Sequence, residues 1–256
     1  MASTVEGREL TEAHQAAQVA IGTQVTAEAR LLWDRLDPGD LDGSTPYWLA
    51  SNLIAVDRRT RESQTVASVY LSDYRRAEVG LQAKVVLGAP PATATALRVA
   101  GPIRVKQLIA QGVDREEAHR LAFTKFAGIA TRQALMGGRL TVARTTGRDR
   151  RAIGWRRVTD GNPCAFCAML ASRGPVYRDA ASADGLQYHA HCGCTAEPMY
   201  SEWVPTEREQ EYVDFYLEAR YPMGQKPRST KETLKAMRDA GSVRDSPQIR
   251  STRTNG

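Results

Sequence analysis

The sequence predicts a mainly α-helical protein that carries a small, loop-rich α+β module toward its C-terminal end. Two observations lead to this fold class. The first half repeats apolar residues at helical spacing and contains no convincing period-two strand pattern. All four cysteines of the 256-residue chain fall between positions 164 and 194. We therefore expect an α-helical body over residues 1–138, a zinc-binding module with a final helix over 139–222, and a basic flexible tail over 223–256.

The composition narrows the class of protein further. Hydrophobic residues make up 42% of the chain and charged residues 25%, which is typical of a soluble globular protein and argues against wholesale disorder. No apolar run is long enough for a membrane-spanning helix, so we expect no membrane association. The polar N-terminal segment is followed by no apolar signal-peptide core, and nothing directs the chain to secretion.

Four helical stretches are predicted in the body. The first covers about 8–36 by its apolar spacing, and the second begins at Ser44-Thr45-Pro46 and extends to Val79. Shorter helical segments follow near 93–110, with an interruption at Gly101-Pro102. The last helix opens at Asp114, with Glu117 in a capping-box arrangement, and is expected to end at Gly137-Gly138.

The module is predicted to contain shorter elements. Residues 141–143 and 154–159 are candidate short strands, residues 167–171 a short helix, and residues 174–194 mostly loop. A final helix is expected over 205–220, where Thr206 caps the first turn and Glu209 lies three residues later. The tail, poor in large apolar residues, is predicted to be mostly disordered with a weak helix at 230–239.

The cysteine cluster is the strongest chemical signal in the sequence. A CxxC pair allows two thiolates from one tight turn to reach the same metal ion, and 21 residues later a second group of soft donors follows. His191 lies between His189 and Cys192 in the sequence and is a weaker candidate for a metal ligand. The candidate ligands are Cys164, Cys167, His189, Cys192 and Cys194.

Alternatives to a metal site remain open. A redox CxxC normally opens a helix after a strand in a βαβ unit and needs no HxHCxC downstream. Two disulfides are the other possibility, in an oxidising medium. For zinc, a site of mostly thiolates is closed and structural, whereas catalytic zinc keeps an open position. Neither HExxH nor the zinc-deaminase pattern is present. We therefore expect one structural Zn²⁺.

Basic charge is concentrated in two segments of the chain. The net charge is +6, and residues 138–157 alone carry seven arginines against one aspartate. The tail carries eight basic residues against three acidic ones. In the simplest interpretation, the arginine segment is a solvated surface with ion pairs and has no binding function. The functional interpretation is contact with phosphates or an acidic partner through Arg144, Arg148, Arg150, Arg151, Arg156 and Arg157.

The motif residues resemble a known family. The segment GWRRVTDGNPCAFC, a loop and then YHAHCGCTAEP resemble the C-terminal module of the phage Mu F-like minor capsid, or head morphogenesis, proteins. Members of that family end in a pattern like DxxxCxxC followed by HPxCRC. Asp160 and the five candidate ligands fall on those positions, whereas Ala190 and Gly193 replace the proline and the arginine. The helical segment GPIRVKQLIAQGVDREEAHRLA is similar to minor capsid proteins of actinobacterial tailed phages.

The resemblance implies a low-copy protein of the capsid interior, assembled in the host cytoplasm. Such a protein would associate with the portal and with major capsid or scaffold protein, aid procapsid assembly, and leave with the DNA. The arginine segment and the tail would contact packaged DNA in a salt-dependent, sequence-independent way.

Two other functions remain open. The first is an enzyme, namely a capsid maturation protease or another metal-dependent hydrolase, although no protease constellation is visible in the sequence. The second is a zinc-containing DNA-binding protein of the host, which would give a sequence-specific footprint.

Overall fold

Three long helices form the body of the protein. In the computed structural model, which describes residues 2–178, 188–241 and 243–245, α1 (Val5–Trp33), α2 (Leu41–Val79) and α5 (Arg115–Arg148) pack against one another. The short helices α3 (Thr93–Ala100) and α4 (Pro102–Ala110) cover one end of α5. The mainly α fold predicted from the sequence is confirmed. No helix of the described residues is long and apolar enough to cross a membrane.

The core at the α3–α4 end is aromatic. Trp33, Trp48 and Phe126 are almost completely buried, and their rings lie within 4.9–5.8 Å of one another between centroids. Such aromatic pairs bury large apolar areas and contribute beyond the area alone. Trp33 and Trp48 therefore pack with Phe126 to hold α1, α2 and α5 together at this end.

Three helices of the body begin or end elsewhere than the sequence predicts, and the first of them, α1, spans Val5–Trp33 rather than about 8–36. The second helix starts at Leu41 rather than near Ser44, because the Asp40 side chain accepts a hydrogen bond from the Gly43 N–H and caps the helix earlier. The interruption at Gly101-Pro102 and the start at Asp114 are confirmed.

The predicted end of α5 at Gly137-Gly138 is wrong. The helix continues for ten further residues, so the expected strand at 141–143 is helical as well. A Cβ atom on Gly137 would lie 2.6 Å from the Thr60 carbonyl oxygen of α2, and one on Gly138 would lie 2.7 Å from Ser63 Oγ. The two glycines therefore permit close approach of α2 and α5 rather than ending the helix. The division of the chain at 138/139 stays a prediction.

The C-terminal part surrounds a two-stranded antiparallel sheet. Strand β1 (Gly154–Val158), predicted from the sequence, pairs with β2 (Thr195–Met199), which the sequence analysis missed, in the register Gly154↔Met199. Helix α6 (Ala165–Ala171) lies between the strands in sequence, and α7 (Glu207–Arg220) begins with the predicted Thr206–Glu209 capping box.

The helix predicted in the tail is present as α8 (Thr230–Asp239). It packs against α6 and α7, and Met237 at its inner face is fully buried. Beyond it, Val243 is buried, and Asp245 accepts a hydrogen bond from the Ala165 N–H at the start of α6. The tail up to this point is therefore packed on the module. The rest of the predicted flexible tail, 246–256, lies outside the described residues.

Candidate metal centre

The CxxC pair is placed by the start of α6. Cys164 is the N-cap residue of this helix and Cys167 lies in its first turn, so both side chains extend from one turn of backbone. The preceding turn is formed by Asp160, whose carboxylate accepts a hydrogen bond from the Asn162 N–H. The second group of donors lies just before β2, and the pairing of β2 with β1 returns it to the same place.

The structure brings the five predicted ligands together. Cys164 Sγ lies 2.7 Å from His189 Nε2, and Cys167 Sγ lies 3.6 Å from the same nitrogen and 3.5 Å from Cys192 Sγ. The donor atoms form two sets, and within each set all atoms lie within 4.8 Å of one another. One set contains His189 and Cys164, the other contains Cys192 and Cys194, and Cys167 belongs to both. All four thiols are buried and unpaired by disulfides. These Cys/His groups could hold a metal ion.

The orientation of His189 suits a ligand. Its Nδ1 lies 2.7 Å from the Ala190 carbonyl oxygen, which can only accept a hydrogen bond, so Nδ1 donates. The Nε2 lone pair of the neutral ring then faces the cysteine sulfurs. Metal-binding histidines commonly donate their second N–H to a carbonyl in this way.

His191, the weaker choice, points elsewhere. It adopts a left-handed backbone conformation with φ of 59°, and its Nε2 lies 2.9 Å from the Thr124 carbonyl oxygen of α5. Gly128 makes room for this ring, because a Cβ atom there would lie 2.5 Å from His191 Nε2. His191 therefore packs the loop against α5 and lies outside both donor sets.

The electrostatics of the cluster favour a thiolate at Cys164 and at Cys192 and a thiol at the other two cysteines. Hydrogen bonds with Cys167 and with His189 together lower the pKa of Cys164 to about 5, against the opposing effect of burial. Hydrogen bonds with Cys167 and Cys194 also lower the pKa of Cys192. The hydrogen bond with Cys164 raises the pKa of Cys167. Against a hydrogen bond with Cys167, the hydrogen bond with Cys192 and burial raise the pKa of Cys194. The hydrogen bond with Cys164 raises the pKa of His189 to about 9. Because metal binding requires thiolates and a neutral imidazole, a soft divalent cation would displace the proton that His189 holds beside the Cys164 thiolate.

Two side chains of the helical body, the buried Arg139 and the half-buried Gln15, hold the second donor group in place. Arg139 of α5 donates from Nε to the Cys194 carbonyl oxygen at 3.0 Å and from Nη2 to that of Cys192. Gln15 of α1 donates to the Gly193 carbonyl oxygen at 2.7 Å and accepts from the Thr195 hydroxyl. The sequence analysis missed both contacts, since no local signal connects these positions to the cysteines.

The predicted arginine contacts divide into two groups. Arg144, Arg148, Arg150 and Arg151 are exposed around the C-terminal end of α5, and their contact with phosphates or an acidic partner stays a prediction. For Arg156 and Arg157 the prediction of such a contact is wrong, because both are buried in β1.

The two buried arginines of β1 have partners inside the protein. Arg156 forms ion pairs with Glu197 and Glu209. Arg157 lies over the Tyr188 ring, with its Nη1 4.0 Å from Cys167 Sγ. Neither guanidinium is available to an external phosphate.

Comparison with known proteins places this fold and cluster in a family. The model of the VG15 protein family matches residues 6–219, which include the three long helices and the five candidate ligands. The "Gene 15 protein" of Mycobacterium phage D29 is 26% identical in an alignment of 172 residues that covers 50% of this chain and 62% of the length of that relative. No solved structure matches the chain. The chain belongs to the VG15 protein family, and it is similar to a bacteriophage protein.

Proposed function

We propose that this chain is a minor capsid, or head morphogenesis, protein of a tailed phage, of the phage Mu F-like kind. The observation that carries the proposal is that the motif cysteines and His189 form two overlapping sets of donor atoms that share Cys167. These residues fall on the motif through which the sequence resembles the Mu F-like proteins. Membership in a family with a phage relative adds support.

The metal in this proposal is one structural Zn²⁺. Tetrahedral zinc uses four N or S ligands, and the cluster offers five. Cys164, Cys167 and His189 would supply three of them and Cys192 or Cys194 the fourth. Bound zinc would supply a cross-link between the start of α6 and the segment before β2. A site with several buried thiolates suits a structural role better than a catalytic one.

The helical body would provide the contact surface for the portal and for major capsid or scaffold protein. Three large apolar side chains of α1 and α2, Leu31, Tyr47 and Ile54, are strongly exposed and would be available to such a partner. The exposed arginines at the end of α5 would contact packaged DNA inside the capsid.

The experiment that tests the role is localisation in the virion. In phage particles purified from a strain that expresses the natural gene, quantitative mass spectrometry should find this chain at a few copies per head. Deletion of the gene should reduce the yield of DNA-filled heads, and expression in trans should restore it. Absence from purified heads, together with normal assembly after deletion, would refute the proposal.

A second assay separates the proposal from the enzyme alternative. Purified protein is incubated with scaffold and major capsid protein, and the products are analysed by mass spectrometry. Under the proposal both proteins stay intact. Cleavage that His189→Ala abolishes without unfolding the chain would identify a capsid maturation protease instead.

A further inference from the structure

A pair of buried arginines lies directly against the cysteine cluster. Arg139 of α5 is 2% exposed and Arg157 of β1 is fully buried. Burying a guanidinium in a protein interior is costly unless an opposite charge or several hydrogen-bond acceptors compensate for it. The contacts that these two arginines make with the cysteine cluster therefore bear on the charge that the cluster can hold.

Both guanidinium groups lie over the same aromatic ring. The Cζ atoms of Arg139 and Arg157 are each 3.9 Å from the centroid of Tyr188, so they are at most 7.8 Å apart. An aromatic ring attracts a cation weakly, and a single ring is a modest partner for two of them. Two positive charges this close inside a protein repel each other strongly unless negative charge lies between or beside them.

The cysteine cluster supplies acceptors for the pair. Arg157 Nη1 lies 4.0 Å from Cys167 Sγ, and Arg139 donates to the carbonyl oxygens of Cys192 and Cys194. Arg139 Nη1 is buried and has no hydrogen-bond partner among the described residues. Both cations therefore lie against the donor atoms and backbone of the proposed metal centre.

The charge of a metal–thiolate centre matches this arrangement. A divalent ion bound by three thiolates and a neutral imidazole carries one net negative charge, and one bound by four thiolates carries two. Either centre is an anion buried among apolar groups, which requires compensation. Cations and hydrogen-bond donors around the first ligands tune metal affinity in known metal sites.

We propose that Arg139 and Arg157 are positioning residues that supply the counter-charge of the metal–thiolate centre. Arg139 also fixes the backbone of Cys192 and Cys194, so its charge and its hydrogen bonds both act on the second donor group. Tyr188, directly before His189, holds the two guanidinium groups beside the sulfurs. This inference rests on the metal centre of the proposed function, but not on a role in the capsid.

The test measures zinc affinity of the full chain by competition with a chromophoric chelator. Arg139→Met and Arg157→Met should each weaken zinc binding by about 10–100-fold, the range found when groups around metal ligands are removed. Arg157→Lys retains the positive charge and should stay within a few-fold of the natural protein. Arg139→Lys retains the charge but not both hydrogen bonds, and its affinity should lie between that of Arg139→Met and that of the natural protein. Arg148→Met removes an exposed arginine from the same helix α5 and is the matched control, with unchanged affinity expected.

A spectroscopic readout shows that the ligands remain in place. Co²⁺ replaces Zn²⁺, and the intensity of its sulfur-to-metal charge-transfer band reports the number of bound thiolates. That number should be the same in the Met variants and the natural protein, so the weaker binding is not due to a lost ligand. Circular dichroism establishes that each variant is folded, and if Arg157→Met does not fold, the Arg139 pair of variants decides.

Each outcome has a distinct meaning. Weak binding by the Met variants, with tighter binding by each matching Lys variant, supports the proposal. Normal binding by the Met variants, or equally weak binding by both sets, overturns it, because positive charge is then not what the centre needs. If the natural protein takes up no zinc, this inference and the metal centre fall together, whereas virion localisation still tests the capsid role separately.

Discussion

His14 should make the stability of the protein fall as the pH falls from 7 to 5. The residue lies on the inner face of α1 and is only 4% exposed, with its ring stacked on Tyr70 at 4.2 Å between centroids. Its Nδ1 is buried without a hydrogen-bond partner among the described residues, and its Nε2 lies 3.3 Å from the amide nitrogen of Gln18, which can only donate. Both nitrogens therefore lie in surroundings that accept no proton from the ring.

Burial lowers the pKa of His14 to about 3 from its ordinary value of 6.5. The folded state thus stays neutral at pH 5, whereas about 97% of the unfolded chains carry the proton at this position. Because the folded pKa lies below the unfolded one, stability is lost as the pH falls through 6.5 and continues to fall toward 3. At 1.36 kcal/mol per pKa unit, the loss between pH 7 and pH 5 is about 2 kcal/mol.

His14→Phe isolates this contribution. Phenylalanine preserves a planar ring against Tyr70 and removes both titrating nitrogens. The free energy of unfolding is measured by urea titration at pH 7 and at pH 5 for the natural protein and the variant. The natural protein should lose about 2 kcal/mol more than the variant between the two pH values. All other groups, including the cysteine cluster, are present in both proteins, so their contribution cancels. Equal losses would refute the reasoning.

Four other outcomes are expected. Glu197→Gln removes a charge from a buried network with Arg156 and should cost about 3 kcal/mol in guanidinium unfolding; a loss below about 1 kcal/mol would contradict the structure. Gly137→Ala should cost about 1–3 kcal/mol in the same assay, since its Cβ would lie 2.6 Å from the Thr60 carbonyl oxygen and α2 must shift, and an unchanged midpoint would mean that this close approach is absent. Chelation of bound metal should lower Tm by roughly 5 °C or more in calorimetry, whereas an unaltered Tm would argue against a structural metal. Arg148→Glu should weaken salt-sensitive retention of duplex DNA in filter binding, and unchanged retention would remove that residue from the DNA-contact surface.

Local sequence signals predict helix starts and breaks correctly where residues within one turn determine them. The capping box at Thr206 and Glu209 and the break at Gly101-Pro102 act within a single turn of backbone, and the structure has both. The predicted end of α5 is wrong because Gly137 and Gly138 do not end the helix. They allow close contact with α2, more than 70 residues earlier in the chain. A glycine that ends a helix and one that admits a neighbouring helix look the same in one sequence.

The candidate site shows the same limit. The spacing of the cysteines and His189 was sufficient to predict which donors meet, since each pair acts through a short stretch of chain. The buried arginines were not predictable in this way. Neighbouring side chains of a strand point to opposite faces, so Arg156 reaches Glu197 while Arg157 reaches Tyr188. Only the position of β1 in the fold shows that this charged pair is interior.

The metal centre lies where the parts of the protein meet. Gln15 of α1 and Arg139 of α5 hold the segment from Cys192 to Thr195, and from the other end of the chain Arg244 donates to the His191 carbonyl oxygen at 3.2 Å. Each of these contacts is made to a short loop whose buried side chains between His189 and Thr195 are Cys192 and Cys194, so its shape depends on what these cysteines bind. A metal ion that fixes this loop would therefore hold in register contacts from α1, from α5 and from the C-terminal segment at once. Removing the metal should therefore loosen the attachment of the C-terminal part to the helical body. For this reason we expect the metal to stabilise the arrangement of the whole protein and not only the loop that binds it.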